Sequence, residues 1–168
     1  MTEGAVTDPI AVERVVAGCG AVLSALGPRR DSPADLLTAA SINMTAAMKK
    51  QGVRRLVILT NTAVEDPSDR PPLAQKVLRF VLSAMNGRLA RDSIAAARIF
   101  ADSALDWTLV RPPILIDGPR TGNYKVGALV RGMPLRISRA DVAEFMLSCV
   151  VEGRFVRERP AIGGGHLR

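Results

Sequence analysis

The sequence predicts an α/β protein, a doubly wound parallel sheet with helices on both faces. Short apolar runs of strand length alternate with amphipathic segments of helical length, and this alternation is typical of βαβ units. The apolar runs contain few polar residues, as expected for parallel strands that helices cover on both sides. Of the 168 residues, 48% are hydrophobic and 23% are charged, so the chain can bury the core of one domain.

The first part of the chain predicts a strand end, a helix and a buried strand. Gly4–Thr7 has the character of the tail of a strand. Asp8 is a favourable N-cap and Pro9 suits the first helical position, so a helix is expected from there to Gly18. Ala21–Leu26 is a short apolar run and predicts a buried parallel strand. The residues expected on the inner face of the helix are Val12, Val15 and Val16.

The clearest helix in the sequence follows that strand. Ser32-Pro33 and Asp35 supply the residues that favour a helix start, and Gly52 supplies the stop. The apolar run Arg55–Thr60 then predicts a second buried strand. The inner stripe expected for the helix consists of Leu37, Ala40, Met44, Ala47 and Met48.

The middle of the chain predicts a loop, two helical segments and a third strand. Asp66–Pro72 is polar and rich in proline, so it should be a loop. Leu73–Met85 and Ile94–Ala104 have helical patterns that are joined or kinked at Asn86-Gly87. Trp107–Arg111 is the next apolar strand.

The last third predicts one helix and two short strands. Pro112-Pro113 cannot donate ladder hydrogen bonds and should turn the chain away from the sheet. A short strand is expected near Tyr124, and Arg159–Ile162 is expected to add an edge strand. Ser138 is a suitable N-cap for a helix that runs from Arg139 to about Val151.

One domain should span residues 1–162, followed by a flexible tail at residues 163–168. The glycine run Gly163–Gly165 has no helix after it, so it lacks the helix dipole that a phosphate-binding turn uses. The sequence also has no Gly-x-x-x-x-Gly-Lys phosphate loop.

The charge pattern favours an anion-attracting surface over a nucleic-acid site. The formal net charge is +7, but the arginines punctuate loops and helix ends and do not cluster on one helix or tail. Aromatic residues, which would stack on bases, make up only 4% of the chain. We therefore expect no nucleic-acid partner.

The cysteines and the hydropathy pattern predict a cytoplasmic location. Cys19 and Cys149 lie far apart among apolar residues, which favours two buried thiols over a disulfide or a metal pair. The sequence has no signal-peptide pattern and no apolar run near the roughly 18 residues that span a bilayer. We therefore expect no membrane association.

Several catalytic arrangements are excluded by the residues present. Conventional short-chain dehydrogenases use a tyrosine with a lysine four positions later, but Ala128 follows Tyr124 at that spacing. No cluster of His, Cys or acidic residues has metal-ligand spacing, and His166 is the only histidine. No Gly-x-Ser-x-Gly elbow for a serine hydrolase is present.

Three stretches carry a resemblance to a known family. Trp107–Pro113, Asp117–Lys125 and Ile137–Met146 together resemble the atypical short-chain dehydrogenases/reductases, which include NmrA-like proteins, flavin reductases and biliverdin reductase B. The resemblance implies a Rossmann-like sheet and NADP or NAD as the cofactor. The lack of the Tyr/Lys pair agrees with this atypical branch.

The resemblance also implies that only part of a doubly wound sheet is present. Gly4, Val6 and Asp8 are similar to the family's third strand, with Ala5 in place of an acidic residue. The Gly-rich first βαβ portion would then be missing, and the edge of Ala21–Leu26 would be open. Either the third strand moves beside it, or a second chain covers it, or the chain is a poorly stable fragment. We predict self-association through this edge.

By resemblance, the candidate site residues fall after three strands. Thr60, Asn61 and Thr62 would be the candidate catalytic residues beside the nicotinamide, although hydroxyls at a strand end also cap loops. Arg29 would meet phosphate unless it is only solvated. The implied cofactor-binding set is Val6, Ala25, Leu26, Gly27, Arg29, Thr60, Asn61, Pro112 and Pro113.

The implied substrate-lining residues are Arg111, Ile114 and Tyr124. Arg111 would hold an anionic ligand or form a salt bridge to a loop, and Tyr124 would line the substrate site or simply pack. Ile114 and Ser93 stand where the biliverdin reductase B branch has histidines, which argues against a tetrapyrrole substrate.

The sequence thus leaves three hypotheses. The chain is an NAD(P)H-dependent oxidoreductase acting on a flavin or quinone-type acceptor, a non-catalytic NmrA-like nucleotide sensor or protein-interaction module, or a relic without activity. Because the cofactor supplies the chemistry in such reductases, the first hypothesis needs little acid–base apparatus. The absence of a phosphate-binding turn favours the other two.

Overall fold

The computed structural model describes residues 3–73, 76–77 and 87–164. The helices described are α1 (Pro9–Val16), α2 (Leu36–Gln51), α3 (Gly87–Asp102) and α4 (Arg139–Val151). The strands described are β1 (Ala21–Ser24), β2 (Arg55–Leu59), β3 (Asp106–Val110), β4 (Ile114–Ile116), β5 (Tyr124–Gly127), β6 (Arg136–Ser138) and β7 (Ala161–Gly164). This alternation of strands and helices confirms the predicted α/β class.

The main sheet consists of parallel strands in the order β1-β2-β3. Leu56 of β2 lies opposite Val22 of β1 on one side and opposite Trp107 of β3 on the other. The chain after α4 continues this sheet, because Glu158 bridges to Thr108 and Ala161 bridges to Arg111, both in parallel. All of these strands therefore end at the same edge of the sheet.

The remaining strands form two small pairs beside the main sheet. β4 and β6 are parallel, and β5 and β7 are antiparallel. The predicted edge strand Arg159–Ile162 is in fact β7, and it is covered by β5 on one side. The predicted tail at residues 163–168 was wrong for Gly163 and Gly164, which are buried in β7; residues 165–168 lie outside the described residues.

Helices cover both faces of the main sheet, as predicted. On one face, α1, α2 and α3 pack on alternate strand residues, among them Leu56, Ile58 and Leu109. On the other face, α4 covers Val57 and Val110. Residues that alternate along β2 thus enter two separate cores, which is why Leu56–Leu59 are all apolar.

Local sequence signals set several helix ends. The Asp8 carboxylate accepts a hydrogen bond from the N–H of Ile10 at 2.9 Å, with Pro9 in the first turn. Gly52 ends α2 with a φ of 71°, and the hydroxyl of Ser138 accepts from the N–H of Asp141 at 3.0 Å at the start of α4. Each of these ends was predicted from the residue types.

Several expectations were wrong in detail. Gly4–Thr7 is not a strand but leads into a turn, in which the N–H of Asp8 donates to the carbonyl of Ala5 at 3.0 Å. Val15 is 53% exposed because it lies on the outer side of α1. Cys19 is exposed, whereas Cys149 is buried and burial raises the pKa of its thiol to about 11.

The two predicted helical segments in the middle of the chain are only partly described. Leu73, Lys76 and Val77 are helical, and residues 74–75 and 78–86 lie outside the described residues. α3 already includes Gly87, seven residues before the predicted start at Ile94. Among the helices that the structure describes, none is long and apolar enough to cross a membrane.

β1 lies at the outer edge of the main sheet, so its edge is open as the resemblance implied, but the prediction from its apolar run that it is buried was wrong. None of its four residues is fully buried, and Leu23 is 40% exposed. Residues 18–27 carry no charge, so the edge lacks the charged side chains that usually prevent edge-to-edge pairing.

We expect this edge to pair with a second copy of the chain. Replacing Leu23 with lysine should raise the dissociation constant of the dimer by about tenfold or more, because charge on an edge strand opposes pairing. Sedimentation velocity over a concentration series measures the change. Ile42→Lys is the control, since Ile42 is 54% exposed on α2. A wild-type chain that stays monomeric at every concentration would contradict the prediction.

Candidate functional site

The predicted site residues lie at the carboxyl edge of the main sheet. Ser24 ends β1, Thr60 follows β2, and Arg111 follows β3. The N–H of Thr60 donates to the carbonyl of Val110 at 2.8 Å, which joins the ends of β2 and β3. Crevices at this edge of parallel sheets are the usual ligand sites. The order of the strands therefore brings the loops that follow them together.

A small depression, the inner depression, opens between the loops after β1 and β2. Its cavity volume is only about 30 Å³, room for little more than a water molecule. Its floor is apolar and is formed by side chains of the sheet, α2 and α3, while three hydroxyl-bearing residues stand at its wall. Those three residues are Ser24, Thr60 and Ser93. The predicted residues Leu26 and Thr60 are thus brought together here.

A broader concavity, the outer groove, lies on the other side of the β2 loop. Asn61, Thr62 and Pro113 line it together with Arg98 of α3 and Arg159. The structure therefore places predicted residues of the loop after β2 and of the loop after β3 on one surface. Acidic residues line it as well, Glu65, Asp66 and Asp69, so the groove carries charges of both signs. The buried Nε of Arg159 has no hydrogen-bond partner among the described residues.

Asn61 is held between the β2 loop and α3. Its Oδ1 accepts from the N–H of Ala63 at 2.9 Å, and its Nδ2 donates to the hydroxyl of Ser93 at 2.8 Å. The first bond is the loop cap that strand-end polar residues often make. One Nδ2 hydrogen remains beyond these two bonds, so the amide keeps a donor for a ligand.

Asp92, which sequence reasoning missed, lies beside Ser93 on α3. Its carboxylate accepts from the N–H of Leu37 at 2.8 Å, from the N–H of Thr38 at 2.9 Å and from the hydroxyl of Thr38 at 2.6 Å. Asp92 and Ser93 occupy the buried face of α3, which also carries Ala96 and Phe100. Polar residues on the apolar stripe of a helix were the signal that could have revealed them.

Arg111 does not line a substrate site, which corrects one of the two predicted roles. Its side chain is fully buried, and it forms a two-point ion pair with Asp69 at 2.6 and 2.9 Å. It also donates to the carbonyls of Val64 at 3.0 Å and Arg159 at 2.6 Å. The alternative prediction, a salt bridge to a loop, describes what the structure shows. The pair fixes the loop that contains Asp69 to the end of β3.

Asp69 was also missed, because nothing in a polar loop distinguishes an acid that becomes buried. Burial alone would raise the pKa of its carboxyl. Hydrogen bonds from Arg111 and from the backbone of Leu129 and Asp66 outweigh burial and hold the pKa below its ordinary value. The carboxylate is therefore charged, and its charge is matched by the guanidinium.

Comparison with known proteins identifies the family. A family model described as NAD(P)H-binding matches residues 1–152. The chain belongs to this NAD(P)H-binding family. The predicted NAD(P)-binding family and the prediction of NADP or NAD as its cofactor are confirmed.

Solved structures of the same fold support the assignment of the NAD(P)H-binding family. ChuY, an anaerobillin reductase from Escherichia coli O157:H7, has a TM-score of 0.79 and 19% identity over 99% of this chain and 76% of its own. A short-chain dehydrogenase/reductase from Veillonella parvula in complex with NADP has a TM-score of 0.77 and 17% identity over 98% of this chain and 71% of its own. At these identities the likeness concerns the fold.

The loop after β1 offers the NAD(P)H-binding family's cofactor an open surface. A Cβ atom built on Gly27 would meet nothing within 4 Å, so the protein itself does not approach this glycine. Arg29 and Arg30 are exposed, and their side chains have no partner within the described ranges. Ala25 is exposed as well, and Val6 packs against the core beside α2. Unpaired guanidinium groups are suitable donors for phosphate, so this loop fits part of a dinucleotide.

The remaining predicted residues lie in the β4–β7 region. The Tyr124 ring packs edge-on against Phe145 at 6.0 Å, and burial raises the pKa of its hydroxyl. This contact corresponds to the packing alternative. Ile114 is 45% exposed in β4. Neither residue is among those that line the inner depression or the outer groove.

Asp141 and Arg139 both fasten the start of α4 to the segment that precedes β5. Arg139 forms an ion pair with Asp117 at 2.7 Å. The Asp141 carboxylate accepts from the hydroxyl of the N-cap residue Ser138 at 2.9 Å and from the N–H groups of Thr121 at 2.6 Å and Gly122 at 2.9 Å. Burial would raise the pKa of Asp141, but these hydrogen bonds lower it. Within the residues described, no group of His, Cys, Asp and Glu side chains could hold a metal ion.

Proposed function

We propose that the protein is an NAD(P)H-dependent oxidoreductase that reduces a flavin or quinone-type acceptor. The observation that supports it best is the combination of the NAD(P)H-binding family match with an amide- and hydroxyl-lined cleft at the carboxyl edge of β1, β2 and β3. This edge is where doubly wound sheets hold dinucleotides.

The loops after β1, β2 and β3 would bind different parts of the cofactor. The backbone of Ala25, Leu26 and Gly27 would contact the adenosine side, and Arg29 would pair with phosphate. The free donor of Asn61 suits the nicotinamide carboxamide, with the Thr60 hydroxyl beside it. Pro112 and Pro113 would form the floor.

When bound, the reduced nicotinamide supplies the hydride. The protein would contribute by positioning the reactants. The loop after β2 would orient the nicotinamide ring, and the outer groove would bind the acceptor. Arg98 and Arg159 line that groove and would be the donors for phosphate or carboxylate groups of an acceptor. A flavin or quinone needs little acid–base assistance from the protein, consistent with the Ala128 at the position of the usual lysine.

A non-catalytic nucleotide sensor is the second candidate. It is favoured by the lack of the Tyr/Lys pair used for proton transfer, since Ala128 follows Tyr124 at that spacing. A sensor would bind the nucleotide without turnover. A flavin or quinone reductase would oxidise NADPH when the acceptor is added.

Calorimetric titration with NADPH and NADH tests the proposal. We expect micromolar binding by the wild-type chain, and about tenfold weaker binding by Arg29→Ala because one charge-assisted hydrogen bond contributes roughly 1.5–3 kcal/mol. Arg14→Ala is the control, since Arg14 is exposed on α1. Oxidation of NADPH at 340 nm wavelength with FMN or menadione then separates the enzyme from the sensor. No binding at millimolar cofactor would exclude both.

A further inference from the structure

The start of α2 is capped from another part of the chain. Its own N-cap residue, Asp35, makes no side-chain capping bond. The first-turn N–H groups of Leu37 and Thr38 instead donate to the carboxylate of Asp92, which lies 55 residues further along the chain than Leu37. The first turn of a helix is a ready anion site. Here an internal carboxylate fills it.

The same segment of α3 also holds the loop after β2. Ser93 follows Asp92 directly and accepts the hydrogen bond of the Asn61 amide at 2.8 Å. Leu37 and Ser93 both line the inner depression. Two adjacent residues of α3, Asp92 and Ser93, therefore connect the helix after β1 and the loop after β2 beside the inner depression.

We propose that Asp92 is a positioning residue for this site. Its carboxylate holds the start of α2 against α3. The next residue of α3, Ser93, then fixes Asn61 by accepting the hydrogen bond of its amide. The Asp92 carboxylate then sets both the distance between Leu37 and Ser93 and the orientation of the Asn61 amide. This inference extends the proposed function, because it assigns the cap a role in cofactor binding.

The cap also directs where the phosphates of a ligand can bind. A filled helix N-terminus repels a second anion, so a phosphate group has to be met by Arg29 and Arg30. Removing the carboxylate should reopen the N-terminus of α2 to small anions.

Asp92→Ala tests the proposal in three measurements. The midpoint of thermal unfolding should fall by about 2–4 °C, as expected when a helix cap is lost from a chain of this size. Sodium acetate should restore part of the loss, whereas sodium chloride at equal ionic strength should not. Hydrogen exchange of the Asn61 side-chain amide, followed by NMR, should become about tenfold faster, and NADPH affinity should fall about tenfold.

Asp102→Ala is the matched control, because Asp102 is an exposed acid on the same helix. Ser93→Ala should accelerate the Asn61 exchange without any rescue by acetate. Unchanged Asn61 exchange in Asp92→Ala would overturn the proposal and leave Asp92 as a cap alone. A wild-type chain that binds no NADPH would defeat the proposed function, while acetate rescue together with altered Asn61 exchange would still support the positioning role.

Discussion

Replacing Asp69 with alanine is expected to lower the free energy of unfolding by about 3–5 kcal/mol. The change leaves the fully buried guanidinium of Arg111 without its ion-pair partner, and it also removes the acceptor for the N–H of Leu129. An uncompensated buried charge is far more costly than a lost surface contact. Urea denaturation followed by circular dichroism measures the loss.

The surface pair of Arg54 and Asp106 is the control for this experiment. Its side chains are 66% and 34% exposed, and Arg54→Ala should cost at most about 1 kcal/mol because solvent screens such pairs. A loss of similar size in both variants would show that the Arg111–Asp69 pair is no stronger than a surface contact.

The stabilisation that depends on Asp69 should also vary with pH. Its pKa in the folded chain lies below the ordinary value of about 3.9, so the folded state binds fewer protons than the unfolded state in acid. The difference between wild type and Asp69→Ala should therefore be complete above about pH 4 and shrink as the pH falls through the folded pKa. A difference that grows on acidification would contradict this assignment.

Gly163→Ala is the second change with a large expected effect. Gly163 lies in β7, and a Cβ atom there would collide with the carbonyl oxygen of Pro134, a backbone atom that cannot rotate away. We expect a loss of about 1–3 kcal/mol, the usual cost of overpacking a buried site. Urea denaturation is again the measurement.

Gly20→Ala is the matched control for the glycine, since a Cβ atom there would meet nothing within 4 Å. It should leave stability unchanged or raise it slightly, because alanine restricts the unfolded chain. If Gly163→Ala behaves like this control, then β7 is not packed as closely as the structure describes.

The parts of the fold that were predictable depend on neighbours in sequence. Asp8-Pro9, Gly52 and Ser138 set helix ends through bonds to residues within one turn, so their type was sufficient. β2 was predictable because helices cover both of its faces. Leu56–Leu59 are therefore apolar, and only the first residue of the strand, Arg55, is charged.

The parts that were not predictable depend on partners far along the chain. The Arg111–Asp69 pair joins residues 42 positions apart, and a sequence pattern does not distinguish a buried arginine at a strand end from one that faces a ligand. Asp92 caps a helix that begins 56 residues earlier at Leu36. The exposure of β1 depends on what lies beside it, and an apolar run alone does not report that.

If two copies pair through the uncharged edge of β1, as we expect, the melting temperature of the protein should rise with its concentration. Association of two copies is bimolecular, so mass action favours the paired, folded state as the sample is concentrated. Dilution should lower the melting temperature of the wild-type chain and leave that of Leu23→Lys unchanged. Stabilities of different variants are then comparable only at one fixed concentration.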